Sequence, residues 1–317
     1  VNSEGAVTTY SYAEALQNAY AVNWRIEDVL EDRVFDTKHR WLPPALSATR
    51  MLEGLDEEDR RRLTQVEMAA YAHLFGYVEE FIAPKMVSLA KDHELRARDA
   101  FDALTNFAAE EVKHMNLFRE VRRRVDQALG FEAALVGGEK ETARFVLSKS
   151  TGAMLLLTAA IEWFTQIHFR DAMHDDAGLD PLTRRVFRAH WLEEAQHAKM
   201  DHMETLRAFA PMTDAEKDKA IDDLIELVAG VDGLMKEQSR LDLENFERLR
   251  GRALAPKMRQ DVAREILRAK RWTFIESGVT HPRFQELFVA VTTSAQRERV
   301  GKALAPILAG EEVPAAA

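Results

Sequence analysis

The sequence predicts an all-α protein built on a bundle of four long helices, with additional helices before and after it. Three observations carry that reading. Apolar residues recur at helical spacing through almost the whole 317-residue chain. Proline and glycine gather at a few boundaries instead of being scattered. A Glu-Glu-x-x-His motif occurs twice, at Glu110-Glu111-Val112-Lys113-His114 and Glu193-Glu194-Ala195-Gln196-His197, each time inside a long helical stretch. A glutamate and a histidine at i and i+3 project from one face of a helix and can hold one metal ion.

Taken in order, the first helix is expected from Ser11 to about Val34, with Ala13, Leu16, Ala19, Trp24, Ile26 and Leu30 facing a core. Trp41-Leu42-Pro43-Pro44 follows, and its paired prolines mark an extended connection. Asp56-Glu57-Glu58-Asp59 places acid at the start of a long helix to about Ala90, favourable against the helix dipole. Pro84 lies inside that helix, where a kink or break is expected. The next helix, about Arg96 to Leu129, ends at Gly130, with Gly137-Gly138 in the loop beyond. A fourth is expected from about Glu141 to Met173, and a fifth from Pro181 to Phe209 with proline at its first position. These long helices would form the bundle core, about residues 57–209, of a chain read as one domain.

Beyond Pro211, Met212-Thr213-Asp214-Ala215-Glu216 reads as a capped helix start, with Ile221, Leu224, Leu227 and Val228 as its packing face. Further helices are expected at about Pro256 to Glu276 and Arg283 to Leu308, broken by Gly278-Val279-Thr280-His281-Pro282. Their expected role is to cover the bundle or form a dimer face. The tail from Glu311 to Ala317 is expected to fray.

Composition narrows the chemistry. With 46% hydrophobic residues the chain can bury a large core, and with no cysteine it can form no disulfide, zinc-thiolate site or iron–sulfur cluster. Only nitrogen and oxygen ligands remain for a metal. A net charge of −10 and a pI near 5.6 argue against nucleic-acid or anionic-membrane partners. No basic stretch followed by an apolar one suggests a signal peptide, and the longest apolar run, about Thr151 to Ile161, is too short for a membrane span. A cytoplasmic protein is expected.

The two motifs are halves of a repeat. Glu111 and Glu194, His114 and His197, and Glu79 and Glu162 are each 83 positions apart. The register selects Glu79 over Glu80, because Glu80 pairs with Trp163. The helical face agrees, since Met68, Ala72, Phe75, Ile82 and Met86 share a stripe with Glu79. A charge in an apolar stripe needs a partner. One glutamate from each of two helices, plus Glu-x-x-His from each of two others, is the ligand set of a two-metal carboxylate site. Four carboxylates, about −4, balance two divalent ions, and such oxygen-rich ligation suits iron, with manganese or a mixed pair as the other option. Glu110 and Glu193 point about 100° round their helices. There each can accept the outer N–H of the opposite half's histidine, Glu110 from His197 and Glu193 from His114.

His190 lies outside the repeat, since its register partner is Phe107. Positions 190, 194 and 197 span an arc of only about 60°. A packed or capping histidine and an additional nitrogen ligand to one metal are equally compatible with that geometry.

Glu79, Glu111-x-x-His114, Glu162 and His190-x-x-x-Glu194-x-x-His197 resemble the p-aminobenzoate N-oxygenase family of di-iron enzymes, and Trp41-Leu42-Pro43-Pro44 resembles that family as well. The similarity covers about residues 40–210. It implies a ferritin-like fold, homodimers, two iron ions per chain and His190 as a ligand. It also implies an O2-dependent monooxygenase, supplied by an external electron donor, that carries an arylamine through hydroxylamine and nitroso stages to a nitro group.

Related readings separate on single residues. The radical subunit of class I ribonucleotide reductase places a tyrosine where this chain has Phe118, and acyl-carrier-protein desaturases lack the His190 equivalent. Another small or carrier-tethered substrate, or a non-enzymatic iron-binding role, is the alternative. Phe107, Phe118, Leu155 and Gln166 lie a turn or two from ligands and could line a pocket. Tyr71 and Tyr77 are expected to pack, and His73, His168, His174 and His202 to be structural. An aryl carboxylate needs a cationic anchor, and the sequence does not place one.

Overall fold

A computed structural model describes residues 10–93 and 96–310, which excludes the tail from Glu311 onwards. Helix dominates the described residues, and their only β-type pairing is an isolated bridge between Arg40 and Leu179.

The first expected helix is in fact two, α1 (Tyr12–Val22) and α2 (Ile26–Leu30). Asn23 to Arg25 turns extended so that Trp24 can leave the helix and donate from Nε1 to Ala189 O at 2.8 Å. Ala15 and Ala19 face the core while Ala13 is exposed, so the buried face is rotated from the one expected. Trp41 and Leu42 are fully buried in the extended segment before Pro43-Pro44.

Helix α3 (Glu57–His93) begins with three acidic residues. It continues through Pro84, so the expected break does not occur. Pro84 is exposed while Ile82, Ala83 and Met86 are buried, so the proline ring sits on the outer side and packing of the apolar side holds the helix together. Helix α4 (Arg98–Leu129) ends on Gly130, whose φ of 79° supplies the left-handed cap. Only the short link between them separates α3 from α4, and the two pack along their length as an antiparallel pair.

The expected fourth helix is interrupted. Helix α5 (Glu139–Leu147) lies on α3, and α6 (Thr151–Ile167) starts afresh after Ser148-Lys149-Ser150. The break is held from a distance, by Asp223 Oδ2 accepting from Ser150 N at 2.9 Å. Helix α6 passes into a π-helical stretch, His168–Met173. Helix α7 (Pro181–Phe209) starts at Asp180, whose carboxylate accepts from the backbone of Leu182 and Thr183, and it pairs with α6. The four bundle helices are therefore α3, α4, α6 and α7.

Helix α8 (Asp214–Arg250) starts with a Thr213–Glu216 capping box and lies across α3 and α6. It is followed by α9 (Pro256–Arg271), a second π-helical stretch (Trp272–Glu276) and the short α10 (Ser277–Val279). Gly278 presses α10 onto α6: a Cβ there would stand 2.4 Å from Ala160 O. The last expected helix is also two, α11 (Pro282–Val291) and α12 (Ser294–Leu308). Thr293 caps α12 through a box with Gln296, which forces the chain out of helix at Thr292. Among the described residues no helix is long and apolar enough to cross a membrane.

Candidate metal centre

The four bundle helices turn their polar residues inward at one level. Glu79 comes from α3, Glu111 and His114 from α4, Glu162 from α6, and His190, Glu194 and His197 from α7. All are at most 3% exposed. Glu194 sits between the histidines: its Oε1 is 2.6 Å from His190 Nε2 and 3.2 Å from His114 Nδ1, and its Oε2 is 2.7 Å from His197 Nδ1. Glu111 Oε1 is 2.8 Å from His197 Nδ1, and Glu79 Oε1 is 3.5 Å from His190 Nε2.

Two groups of ligand atoms gather within metal-holding distance. One contains Glu79, His114, His190 and Glu194, and the other Glu111, His114, Glu194 and His197. His190 therefore sits at the Glu79 end of the centre, away from its neighbour His197. Glu162 belongs to neither group, and its carboxyl lies beside that of Glu194.

Many of these atoms have no aligned hydrogen-bond partner: both oxygens of Glu79, Glu162 Oε2, His114 Nδ1 and both ring nitrogens of His190. Buried groups left so are costly unless something else binds them. Burial, reinforced by mutual repulsion, pushes the Glu79, Glu111 and Glu162 carboxyls above their usual range. Burial opposes ionisation of Glu194 too, but His190 and His197 beside it hold its carboxyl well below that range. For His114, burial pulls the pKa down, yet Glu194 and Glu193 push it up to about 9. An acidic cluster that represses its own ionisation, with oxygen and imidazole atoms converging, fits two divalent cations.

The outer shell crosses between halves. Glu193 Oε2 lies 2.8 Å from His114 Nε2, and Glu110 Oε2 lies 2.9 Å from His197 Nε2. If each Nε2 carries the proton, the Nδ1 lone pairs face the carboxylates. Lys113 Nζ bonds the other oxygen of Glu193 at 2.5 Å and lies 4.2 Å over the Trp24 ring, which itself stacks on His114. His190 has no such carboxylate; the edges and faces of Phe75, Phe118 and Phe187 surround it.

The residues expected to line a pocket are placed differently. Phe107 stacks on His197 at 3.7 Å, Leu155 is core, and Gln166 is buried with Nε2 unpaired. None of these three lines the cavities found beside the bundle. Phe118 alone does, at the floor of a 110 Å³ cleft that also contains Arg119 and Arg122. Phe187 was missed by the sequence reading, although it lies one turn before His190 on the same face.

The model of one protein family, described as p-aminobenzoate N-oxygenase AurF, matches residues 9–273. No curated protein sequence matches the chain. Among solved structures, one mutant of an R2-like ligand-binding oxidase with a manganese–iron cofactor aligns at TM-score 0.46 and 15% identity, covering 86% of this chain and 98% of the other. Another mutant of that description aligns at TM-score 0.46 and 14% identity, covering 83% of this chain and 93% of its own. By the family match across most of its length, the chain belongs to the p-aminobenzoate N-oxygenase family and is a non-haem di-iron oxygenase.

Proposed function

We propose that this enzyme N-oxygenates an amine, with Glu79, Glu111, His114, Glu162, His190, Glu194 and His197 holding its two metal ions. The observation that carries the reading is the third histidine: His190 adds a second nitrogen donor, beside His114, at the Glu79 end of the centre. When bound, a ferrous pair supplies two electrons to dioxygen. The first oxygenation then balances as R-NH2 + O2 + 2 e⁻ + 2 H⁺ giving R-NHOH + H2O, so an external electron donor must restore the centre.

The protein's own residues prepare that reaction. Glu110 and Glu193 fix the orientation of His197 and His114, and Lys113 offsets the charge of Glu193. Phe75, Phe118 and Phe187 keep water from His190. The absence of cysteine fits a cytoplasmic protein, and a homodimer accords with the family. The test is to load the protein anaerobically with Fe(II), admit dioxygen, and follow its consumption against a panel of amines with mass spectrometry of the products. Amine-dependent uptake with an N-oxygenated product supports the reading; uptake that no amine changes refutes it.

A further inference from the structure

Helices α3, α5, α6 and α8 border a half-open apolar chamber of 340 Å³, within the range that holds small organic ligands, with Val231 and Leu234 of α8 in its wall. Its walls follow the repeat. Leu74, Val78 and Phe81 on α3 face it, and so do Leu157, Ile161 and Phe164, each 83 positions further on. The signal was thus present in the sequence, in the same register that pairs Glu79 with Glu162. Those glutamates lie about 100–160° round their helices from these stripes, toward the metal centre.

The chamber lies on the side of the centre that aromatic rings, and not hydrogen-bonded charges, close. Opposite, Glu110, Glu193, Lys113 and Trp24 close off α4 and α7 with hydrogen bonds and stacking. On the chamber side only aromatic rings intervene: Phe164 in its wall is 5.9 Å from Phe75, and Phe75 is 5.1 Å from His190. No lysine, arginine or histidine lines it among the described residues. Its polar groups are Tyr77 Oη and Thr142 Oγ1, 2.7 Å apart, and the exposed carboxylate of Glu141. A substrate carboxylate held among these apolar walls would have no cation to pair with.

We propose that this chamber holds the substrate, with Phe75 as the gate to the centre, and that the substrate is an uncharged, mainly hydrocarbon amine without a carboxylate. That the occupant is an amine rests on the N-oxygenase reading; the site and its exclusion of carboxylates do not. Two other cavities carry arginines: a 1110 Å³ groove lined by Arg50, Arg264, Arg268 and Arg271, which contains none of the centre's residues, and the 110 Å³ cleft, which reaches Phe118 beside His190 but is a third of the chamber's size. Arg119 there already bonds Glu80 and Asn116, and Arg122 pairs with Glu132 at 3.6 Å.

Calorimetry on the iron-loaded protein and on the protein as isolated, with 4-butylaniline and 4-aminobenzoate as probes, tests this. Iron content and melting curves are recorded for every variant. The expected result is that 4-butylaniline binds at least tenfold more tightly than 4-aminobenzoate. Val231→Phe and Leu234→Phe, which fill the chamber, should each weaken it at least tenfold, while Arg119→Gln leaves it unchanged. Equal or tighter binding of 4-aminobenzoate overturns the proposal; its loss in Arg119→Gln would then assign the substrate to the cleft, and its retention to another site. Failure of 4-butylaniline to bind, or binding that both folded filling variants retain, overturns it as well. Tight chamber binding without N-oxygenated product would refute the N-oxygenase reading and leave the chamber assignment standing.

Discussion

Glu193 accepts from His114 at 2.8 Å and thereby reaches from one half of the duplicated site into the other. Glu110 makes the mirror contact with His197. Carboxylates in this position hold a ligand imidazole in one tautomer and orientation. Glu193→Ala and Glu110→Ala should each weaken Fe(II) binding by about 10–100-fold. Anaerobic titration of the two variants against the parent reads this directly.

His190 lacks such a carboxylate and depends on its aromatic surroundings. In His190→Ala the Glu79 end loses one of its two nitrogen donors and keeps only His114, which both ends share, whereas His197 and Glu111 stay in place. Stoichiometric loading followed by elemental analysis should then show retention nearer one iron than two, with product formation lost. Unchanged metal content and product would mean that His190 only packs.

Gly278 lets α10 lie against the α6 backbone. Gly278→Ala places a methyl 2.4 Å from Ala160 O, where only backbone movement can relieve it. Overpacking of this kind costs about 1–3 kcal/mol, to be read as a lower midpoint in chemical denaturation.

Glu67 is buried beneath the Ser47 turn, and burial raises its pKa from 4.5 to about 7, against the pull of Lys270 and of bonds from Ser47 and Ala48. The folded protein keeps this proton where the unfolded chain loses it, so the contribution to stability falls as pH rises from about 4.5 to about 7. The loss is on the order of 3 kcal/mol. Glu67→Gln should flatten that part of the stability–pH curve and leave the variant relatively more stable at pH 8 than at pH 5, as denaturation at the two pH values would show.

Much of the architecture is legible because its causes are local. Pro181 opens α7, Gly130 closes α4, and the Thr213–Glu216 box starts α8. Five of the six residues the 83-residue register groups, Glu79, Glu111, His114, Glu194 and His197, come within metal-holding distance of one another; Glu162 stays outside both groups, and His190, which the register does not supply, joins one. What is not legible depends on distant partners. Trp24 leaves its helix for Ala189, and Ser150 is held by Asp223. The end of the centre to which His190 belongs depends on how α3 and α7 cross, which spacing along α7 does not encode. The Thr293–Gln296 box is local, and it divides what the apolar spacing alone reads as one helix. Phe107 and Leu155 show the limit of adjacency: being a turn from a ligand does not distinguish a pocket wall from core.

The central claim is that these seven side chains hold two metal ions. Crystals of the protein loaded anaerobically with Fe(II), measured on either side of the iron absorption edge, test it most directly. Two anomalous peaks are expected inside the bundle, with Glu194 between them, His190 at the Glu79 end and His197 at the Glu111 end. A single peak, or peaks outside this cluster, would contradict it.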